Sequence, residues 1–579
     1  MNTPVTKRRT LAYLAALLVI GGFLLFFRAG AKGFWPSSED RTAEIVREMF
    51  ETGDFLVPHM RGNPLVTKPP LLHWTIVGTT SVLGLNEFAV RLPSLCFALG
   101  TALVLFLVGR RFVHERAAFL AAVALLTAPV LLHVHWRAAE IDVLLTLLVT
   151  AALLAFFSAI GRAEKRAGLF ALFFVLVGLA GMAKGPAGMG PPLLVAIIYL
   201  VATRQWRALA RVPWAWGVPL VLVVGLWWYG ALLARLGGFA GLREITGDEA
   251  STYFGWQHEA APAVRWFYIP RILGDFFPWS LLLPAAVVLA VRTVRRHENP
   301  FFGFLLAWLA VYFVVFSLLG KKAGRYILPL YPAAALLVGQ MCHSAIERAL
   351  SRGLWRWSHG GVIAAALVCL AVVVLVLTLV SQLDYESWYV TRRWMEAKDR
   401  LMLTGISDVL RGHLAPTLVV AGALFVGFAA GAALWRRRTA LAFGLIAVAA
   451  AGMSVAFDVG VVPTLDRTFS PRHFARHIRA LVPDDAPLAG YCEQSGQIDD
   501  CTHFYLGRSV DVLLTRKELR VWATMPGPRY VFMLDEDRDK ATGVVYEWFE
   551  LVDASSTYRG QKVLLFRNRS EDSAPGGPE

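Results

Sequence analysis

Long apolar runs separated by short polar breaks rich in Lys and Arg make up most of the chain. A basic head, Lys7-Arg8-Arg9, precedes an apolar run over residues 11–27. Further apolar windows fall near 92–109, 117–134, 142–160, 168–183, 187–203, 216–234, 278–292, 301–319, 326–343, 361–381, 416–435 and 440–461. Each of these thirteen approaches the roughly 20 residues an α-helix needs to cross a hydrocarbon core. The first has the basic head and apolar centre of a secretory signal, but no small-x-small cleavage site stands out after it. It reads as an uncleaved first helix.

The breaks give the orientation, because Lys and Arg concentrate in cytoplasmic loops. With a cytoplasmic N-terminus, the alternate loops Arg110–Arg116, Gly161–Arg166, Arg204–Arg211, Arg292–Arg296, Glu347–Arg356 and Arg436–Arg438 share that side and hold nearly every dense basic run. An odd number of spans then puts the segment from 462 onward outside the cytoplasm. Three outer stretches, 28–91, 235–277 and 382–415, are too long to be turns. The first holds two amphipathic pieces, 40–52 and 68–83, among Trp35, Pro58, Pro64, Pro69, Pro70 and Trp74, which suits short helices lying at the interface.

Beyond 462 the pattern shortens. Pro471–Leu481 reads as a helix, and Leu488–Tyr491, Val510–Leu514, Tyr530–Leu534 and Lys562–Phe566 read as strands. The predicted fold class is a polytopic α-helical membrane protein of about thirteen spans, residues 1–461, followed by a small soluble α/β domain, residues 462–579.

Composition agrees. The 579 residues are 56% hydrophobic and 17% charged, with a mean hydropathy of +0.53. That excludes both a water-soluble enzyme and a disordered chain. The net charge of +15 would suggest nucleic acid in a soluble protein; here the basic loops account for it, and no nucleic-acid partner is expected. The five cysteines form no CxxC or Cys/His zinc pattern. Cys492 and Cys501 either close a disulfide in an oxidising compartment or stay as two thiols.

Charges that topology does not explain are candidates for chemistry, because ionised groups near a bilayer cost free energy. Glu39, Asp40 and Arg41 follow the first span. They could supply a general base or a metal site, or simply start a helix, since acids favour a first helical turn. Lys68 precedes a rigid Pro-Pro step and could bind phosphate or snorkel to headgroups. Arg137, Glu140 and Asp142 stand at the outer start of a span, as catalytic acids with a neutralising cation or as a surface ion pair. Lys184 breaks two apolar runs, and Lys321, Lys322 and Arg325 violate the positive-inside pattern. Cations on that face suit a lipid-linked phosphate or pyrophosphate; the bland alternative is a patch for anionic headgroups.

At these residues the chain resembles a known group. Glu39-Asp40-Arg41-Thr42-Ala43-Glu44-Ile45, with Arg47-Glu48-Met49, Gly53-Asp54 and Val57-Pro58-His59, is similar to the first loop of the aminoarabinose lipid A transferases. These belong to glycosyltransferase family 83 of the GT-C class, related to the protein mannosyltransferases. Lys68-Pro69-Pro70-Leu71, Phe88-Ala89-Val90-Arg91, Lys184-Gly185-Pro186 and Tyr326-Ile327-Leu328-Pro329 match in the same order. The resemblance covers most of 10–340 and, more loosely, the rest of the layout.

It implies transfer of a sugar from undecaprenyl phosphate to a lipid A-like glycolipid, or to another glycan or protein, on the periplasmic face, usually with inversion. Lys68, Lys184, Lys322, Arg325 and Tyr326 would then surround the donor phosphate, with Arg41 and Arg137 supporting. Glu39, Asp40 and Asp142 would be the catalytic carboxylates, and the ligands of any divalent metal ion. The family usually reads Asp-Glu-x-Arg-Tyr in the first loop; here Ser38 takes the Asp position and Thr42 the Tyr. Thr67 stands where the family has Glu before Lys-Pro. Two acidic positions are therefore missing: either Asp40 takes over the lost carboxylate by a two-residue shift, or the acceptor and any metal dependence differ, or activity is lost.

Two other classes fit the pattern less well. A transporter or flippase of a lipid-linked saccharide should show related halves and charges near mid-span; this chain shows no repeat, and its notable charges lie at helix ends. A receptor or envelope scaffold leaves the misplaced cations without a role.

Overall fold

The computed structural model describes residues 4–35, 38–65, 68–161, 166–238, 266–319, 322–382, 414–492, 500–558 and 561–569. Every one of the thirteen apolar windows falls on helix. Among the described residues eight helices are long and apolar enough to cross a membrane, nine when a bent pair counts as one span. In chain order the first α-helices are α1 (Pro4–Phe26), α2 (Ser38–Thr52), α3 (Leu71–Leu83), α4 (Glu87–Gly109), α5 (Glu115–Leu126), α6 (Ile141–Ile160), α7 (Arg166–Lys184), α8 (Pro186–Ala202), α9 (Trp206–Arg211) and α10 (Trp214–Arg235). They continue as α11 (Tyr268–Asp275), α12 (Leu283–Arg295), α13 (Pro300–Leu318), α14 (Tyr331–Ile346), α15 (Arg352–Gln382), α16 (Leu414–Leu434) and α17 (Thr439–Ala456).

α6 is the central helix of this set. Of its apolar stretch 78% is buried, against 22% for α1, and it packs on α4, α7 and α8. Two prolines mark breaks between helices, where a residue without an N–H cannot continue the ladder. Pro278 lies in the break between α11 and a short 3₁₀ turn leading into α12, a bend of 112°. Pro332 opens α14 after a 3₁₀ turn over Gly324–Leu330. The two amphipathic pieces of the first outer loop are α2 and α3, and a small hairpin pairs His59–Met60 with Asn63–Pro64 between them.

Past α18 (Val462–Phe469) and α19 (Arg472–Leu481) the chain builds a five-stranded sheet from β1 (Leu488–Tyr491), β2 (Asp511–Leu513), β3 (Tyr530–Leu534), β4 (Phe549–Tyr558) and β5 (Gln561–Asn568). In space the order is β2-β1-β3-β5-β4, with the first three strands parallel and the last two antiparallel. β4 escapes the sequence pattern because it is a bulged edge strand with several exposed positions, so its apolar alternation is broken. Cys492 is a buried free thiol; the side chain of Cys501 lies outside the described residues.

The sheet domain rests on the first outer loop through specific bonds. Asp466 Oδ1 accepts from the Gly33 amide at 2.7 Å and from Trp35 Nε1 at 3.0 Å. Its other oxygen takes Arg472 Nη2 at 2.5 Å. Tyr505 donates to Glu87 at 3.0 Å and accepts from the Phe34 amide at 2.8 Å. Arg47 Nη2 reaches Ser509 Oγ at 3.0 Å.

Candidate active site

The first turn of α6 is the meeting point. Asp142 sits there, where a carboxylate is favoured by the helix dipole, and it is 3% exposed. One of its oxygens takes Lys184 Nζ in a short ion pair; the other faces Arg325 Nε at 3.6 Å. Lys184 Nζ also lies 4.0 Å from the Tyr326 ring centroid, a cation–π contact.

Local structure explains each placement. Lys184 is the last residue of α7, and Gly185 turns the chain with φ of +59° before Pro186 starts α8. A Cβ on Gly185 would come 2.9 Å from the Tyr229 hydroxyl. Arg325 and Tyr326 ride the 3₁₀ turn before α14.

Lys68 belongs to this cluster electrostatically. Burial, then the neighbouring Lys184, with further opposition from Arg325 and Arg41, pulls its ammonium down to about 8; Asp142 offsets only part of this. The site therefore gathers Lys68, Lys184 and Arg325 around one carboxylate, with Arg41 near. A cluster of that balance is short of negative charge, and a phosphate would supply it.

Other expected site residues have partners of their own. Both oxygens of Glu39 are engaged by Arg91, Nε to Oε1 at 2.7 Å and Nη2 to Oε2 at 2.8 Å. The Ala139 amide donates to Glu39 Oε1 as well, at 3.1 Å. Burial would raise the Glu39 carboxyl, but Arg91 outweighs it and leaves the group below its usual range. Glu39 thus ties the first loop to α4 and to the approach to α6. Arg137 is drawn into a short, buried pair with Asp458 and donates to the Phe27 carbonyl at 2.6 Å. Lys322 turns back to the carbonyls of Ser317 and Leu319, both at 2.8 Å, closing the C-terminal end of α13. Asp40 is buried, and its Oδ1 accepts from the Arg41 amide at 2.7 Å at the start of α2. Thr67 and Lys321 lie outside the described residues.

Ser38 stands at the first missing acid, and its hydroxyl donates to Glu140 Oε1 at 2.6 Å. A carboxylate absent from the first loop is thus met from the segment before α6. Glu140 Oε2 in turn faces His135 Nδ1 at 3.4 Å, and His135 Nε2 lies 3.8 Å from Asp275. Asp275 accepts from the Tyr331 hydroxyl at 3.0 Å. Of this chain only Glu140 attracted attention in the sequence. His135 and Asp275 are titratable residues in an apolar setting, a signal that was available.

Among the described residues no group of three His, Cys, Asp or Glu side chains could hold a metal ion, and Asp142 and Glu39 already face cations.

Fold and site together define a polytopic membrane protein of the GT-C class with a cationic cluster around Asp142 at the head of its central helix. Residues 67–229 match the family model described as dolichyl-phosphate-mannose-protein mannosyltransferase. An undecaprenyl phosphate-alpha-4-amino-4-deoxy-L-arabinose arabinosyl transferase of Shewanella sediminis is 30% identical over 397 residues, 66% of this chain and 69% of the relative. The protein of the same name from Pseudomonas aeruginosa is 31% identical over 57% of this chain and 59% of its own length. The crystal structure of ArnT from Cupriavidus metallidurans bound to undecaprenyl phosphate superposes with a TM-score of 0.76 at 21% identity, covering 98% of this chain and 99% of that one. The chain belongs to the undecaprenyl phosphate-aminoarabinose arabinosyl transferase family.

Proposed function

We propose that this integral membrane glycosyltransferase moves a sugar from a polyprenyl-phosphate donor to a phosphate-bearing glycolipid of the lipid A type, on the periplasmic face. The observation that carries the reading is the Asp142–Lys184–Arg325 cluster, with Lys68 beside it, at the end of α6 away from the basic loops. Family membership supports the donor class; the relatives are named for aminoarabinose, and a pentose is the first sugar to test. Coverage by the GT-C fold along nearly the whole chain, with charges at helix ends, leaves the flippase alternative without support.

In the reaction the bond between the anomeric carbon and the phosphate oxygen breaks, and the electron pair stays on the phosphate. Lys184, Arg325 and Lys68 stabilise the charge that develops there. In the resting protein Asp142 occupies two of those cations. A donor phosphate competes for them and frees the carboxylate to orient the acceptor or take its proton as the new glycosidic bond forms. Glu39 and Arg91 keep the loop that carries Lys68 and Arg41 in register.

The test is transfer of label from undecaprenyl phosphate-linked pentose and hexose donors by purified protein in lipid. The reading expects Lys184→Ala and Arg325→Ala to lose donor use; wild-type turnover in both removes the assignment.

A further inference from the structure

A second anion-seeking feature lies at the far end of the helix bundle and plays no part in the transfer chemistry. α6 is 20 residues long, so its ends are about 30 Å apart. Asp142 marks one end. Near the other, Phe157 packs on Phe112 and Phe301, with ring centroids 5.0 and 4.9 Å away. Phe112 lines a cavity of about 620 Å³ that also holds Arg292, Arg296 and Arg348. Arg348 opens into a second cavity of about 480 Å³ with Arg352, Arg356, Arg436 and Arg437. This basic basin therefore sits on the face opposite the candidate active site.

The positive-inside rule explains why arginines lie on that side, but not why so many of them line a shared hollow with a single acid in its lining, Glu298. Among the described residues no carboxylate pairs with Arg348, Arg352, Arg356, Arg436 or Arg437. The acid in the lining, Glu298, faces Arg296 at 3.6 Å. Glu347, beside Arg348, is taken by Arg116 at 2.6 Å. Arg292 makes a neutral contact, to Ser351 Oγ at 3.0 Å. Arg352 and Arg356 occupy the first turns of α15, where the helix dipole disfavours cations. Arg348 stands at φ of +57°, a position that glycine or asparagine fills at lower cost. Leu289, Phe302, Leu350 and Leu354 give the first cavity an apolar floor under this rim, and Trp355 lies in the second. A charged mouth over an apolar floor suits an amphiphile better than a free ion.

We propose that this basin binds the phosphate headgroup of an anionic phospholipid from the adjoining leaflet, with the guanidiniums on phosphate oxygens and the acyl chains along the apolar floor. Two cavities joined at Arg348 match a headgroup that carries two phosphodiesters. Basic pockets between membrane helices recognise such headgroups through this charge. The proposal is independent of the sugar-transfer reading.

The test is native mass spectrometry of the full-length protein released from nanodiscs containing diphosphatidylglycerol, phosphatidylglycerol or phosphatidylcholine, with inorganic phosphate as a competing probe. The expected result is retained diphosphatidylglycerol in preference to the other two, undisplaced by inorganic phosphate. An R348Q/R352Q/R437Q variant should lose roughly tenfold or more of that retention. All three side chains are exposed, so the fold should tolerate the change. R204Q/R207Q/R211Q removes the same charge from the loop and helix around α9, outside the basin, and should retain lipid as wild type does. Equal loss in both variants, no selectivity among the lipids, or phosphate binding with no lipid retained would each overturn the proposal.

Discussion

Lys68 is the residue whose behaviour follows most directly from its surroundings. Its ammonium is held at about 8 by burial and by the cations beside it, so it is charged below that pH and neutral above. Donor affinity should therefore fall as pH rises through 8, seen as a rising KM for the polyprenyl-phosphate sugar. Lys68→Arg, which stays charged, should flatten the fall; an unchanged KM profile in wild type would remove Lys68 from the phosphate site. Asp142→Asn should lower kcat by roughly a hundredfold or more, because the amide can neither hold two cations nor take a proton. Asp142, Lys184 and Arg325 were legible as candidates because each broke the expected charge pattern of a membrane chain; Tyr326 entered only through the family resemblance. What the sequence did not reveal was pairing. Arg137 finds Asp458 at a separation of 321 residues, and only the packed bundle shows that both are committed to each other.

At the scale of elements, the first outer loop is held by buried ion pairs. Glu44 and Arg47 pair twice within α2, at 2.9 and 2.8 Å. Glu48 accepts the Arg61 and Gly62 amides at 2.5 and 3.2 Å, and so fixes the hairpin turn. Arg91, 1% exposed, also donates to the carbonyls of Ala29, Lys32 and Gly33. Removing it by Arg91→Ala should cost about 3–5 kcal/mol, the usual consequence of orphaning a buried charge. Glu39→Gln with Arg91→Met should recover much of that loss, as thermal unfolding of the detergent-solubilised protein can show. No recovery in the double variant would mean that the carbonyl contacts, not the ion pair, hold the loop. The helices α2 and α3 were readable from apolar periodicity, as were α19 and β1, β2, β3 and β5. β4 was not, because a bulged, solvent-facing edge strand carries little apolar alternation to read.

For the whole molecule, the sheet domain and the bundle share the first outer loop as a common floor. Asp466 is its hub, bonded to Gly33, Trp35 and Arg472. Asp466→Ala should raise hydrogen exchange at the Gly33 amide and lower turnover while leaving the spans folded, since the same loop carries Lys68 and Arg41. Unchanged exchange at Gly33 would show that the domain is held by other contacts.

The central claim is that a cationic cluster at the head of α6 receives the phosphate of a polyprenyl-linked sugar. The most direct measurement is transfer of labelled pentose from undecaprenyl phosphate to lipid A-type acceptor by purified protein in lipid, wild type beside Lys184→Ala. The account predicts transfer by the wild type and its loss in the variant, with both proteins equally folded. Equal transfer by the two, or none from any polyprenyl-phosphate donor in a folded wild-type preparation, would contradict it.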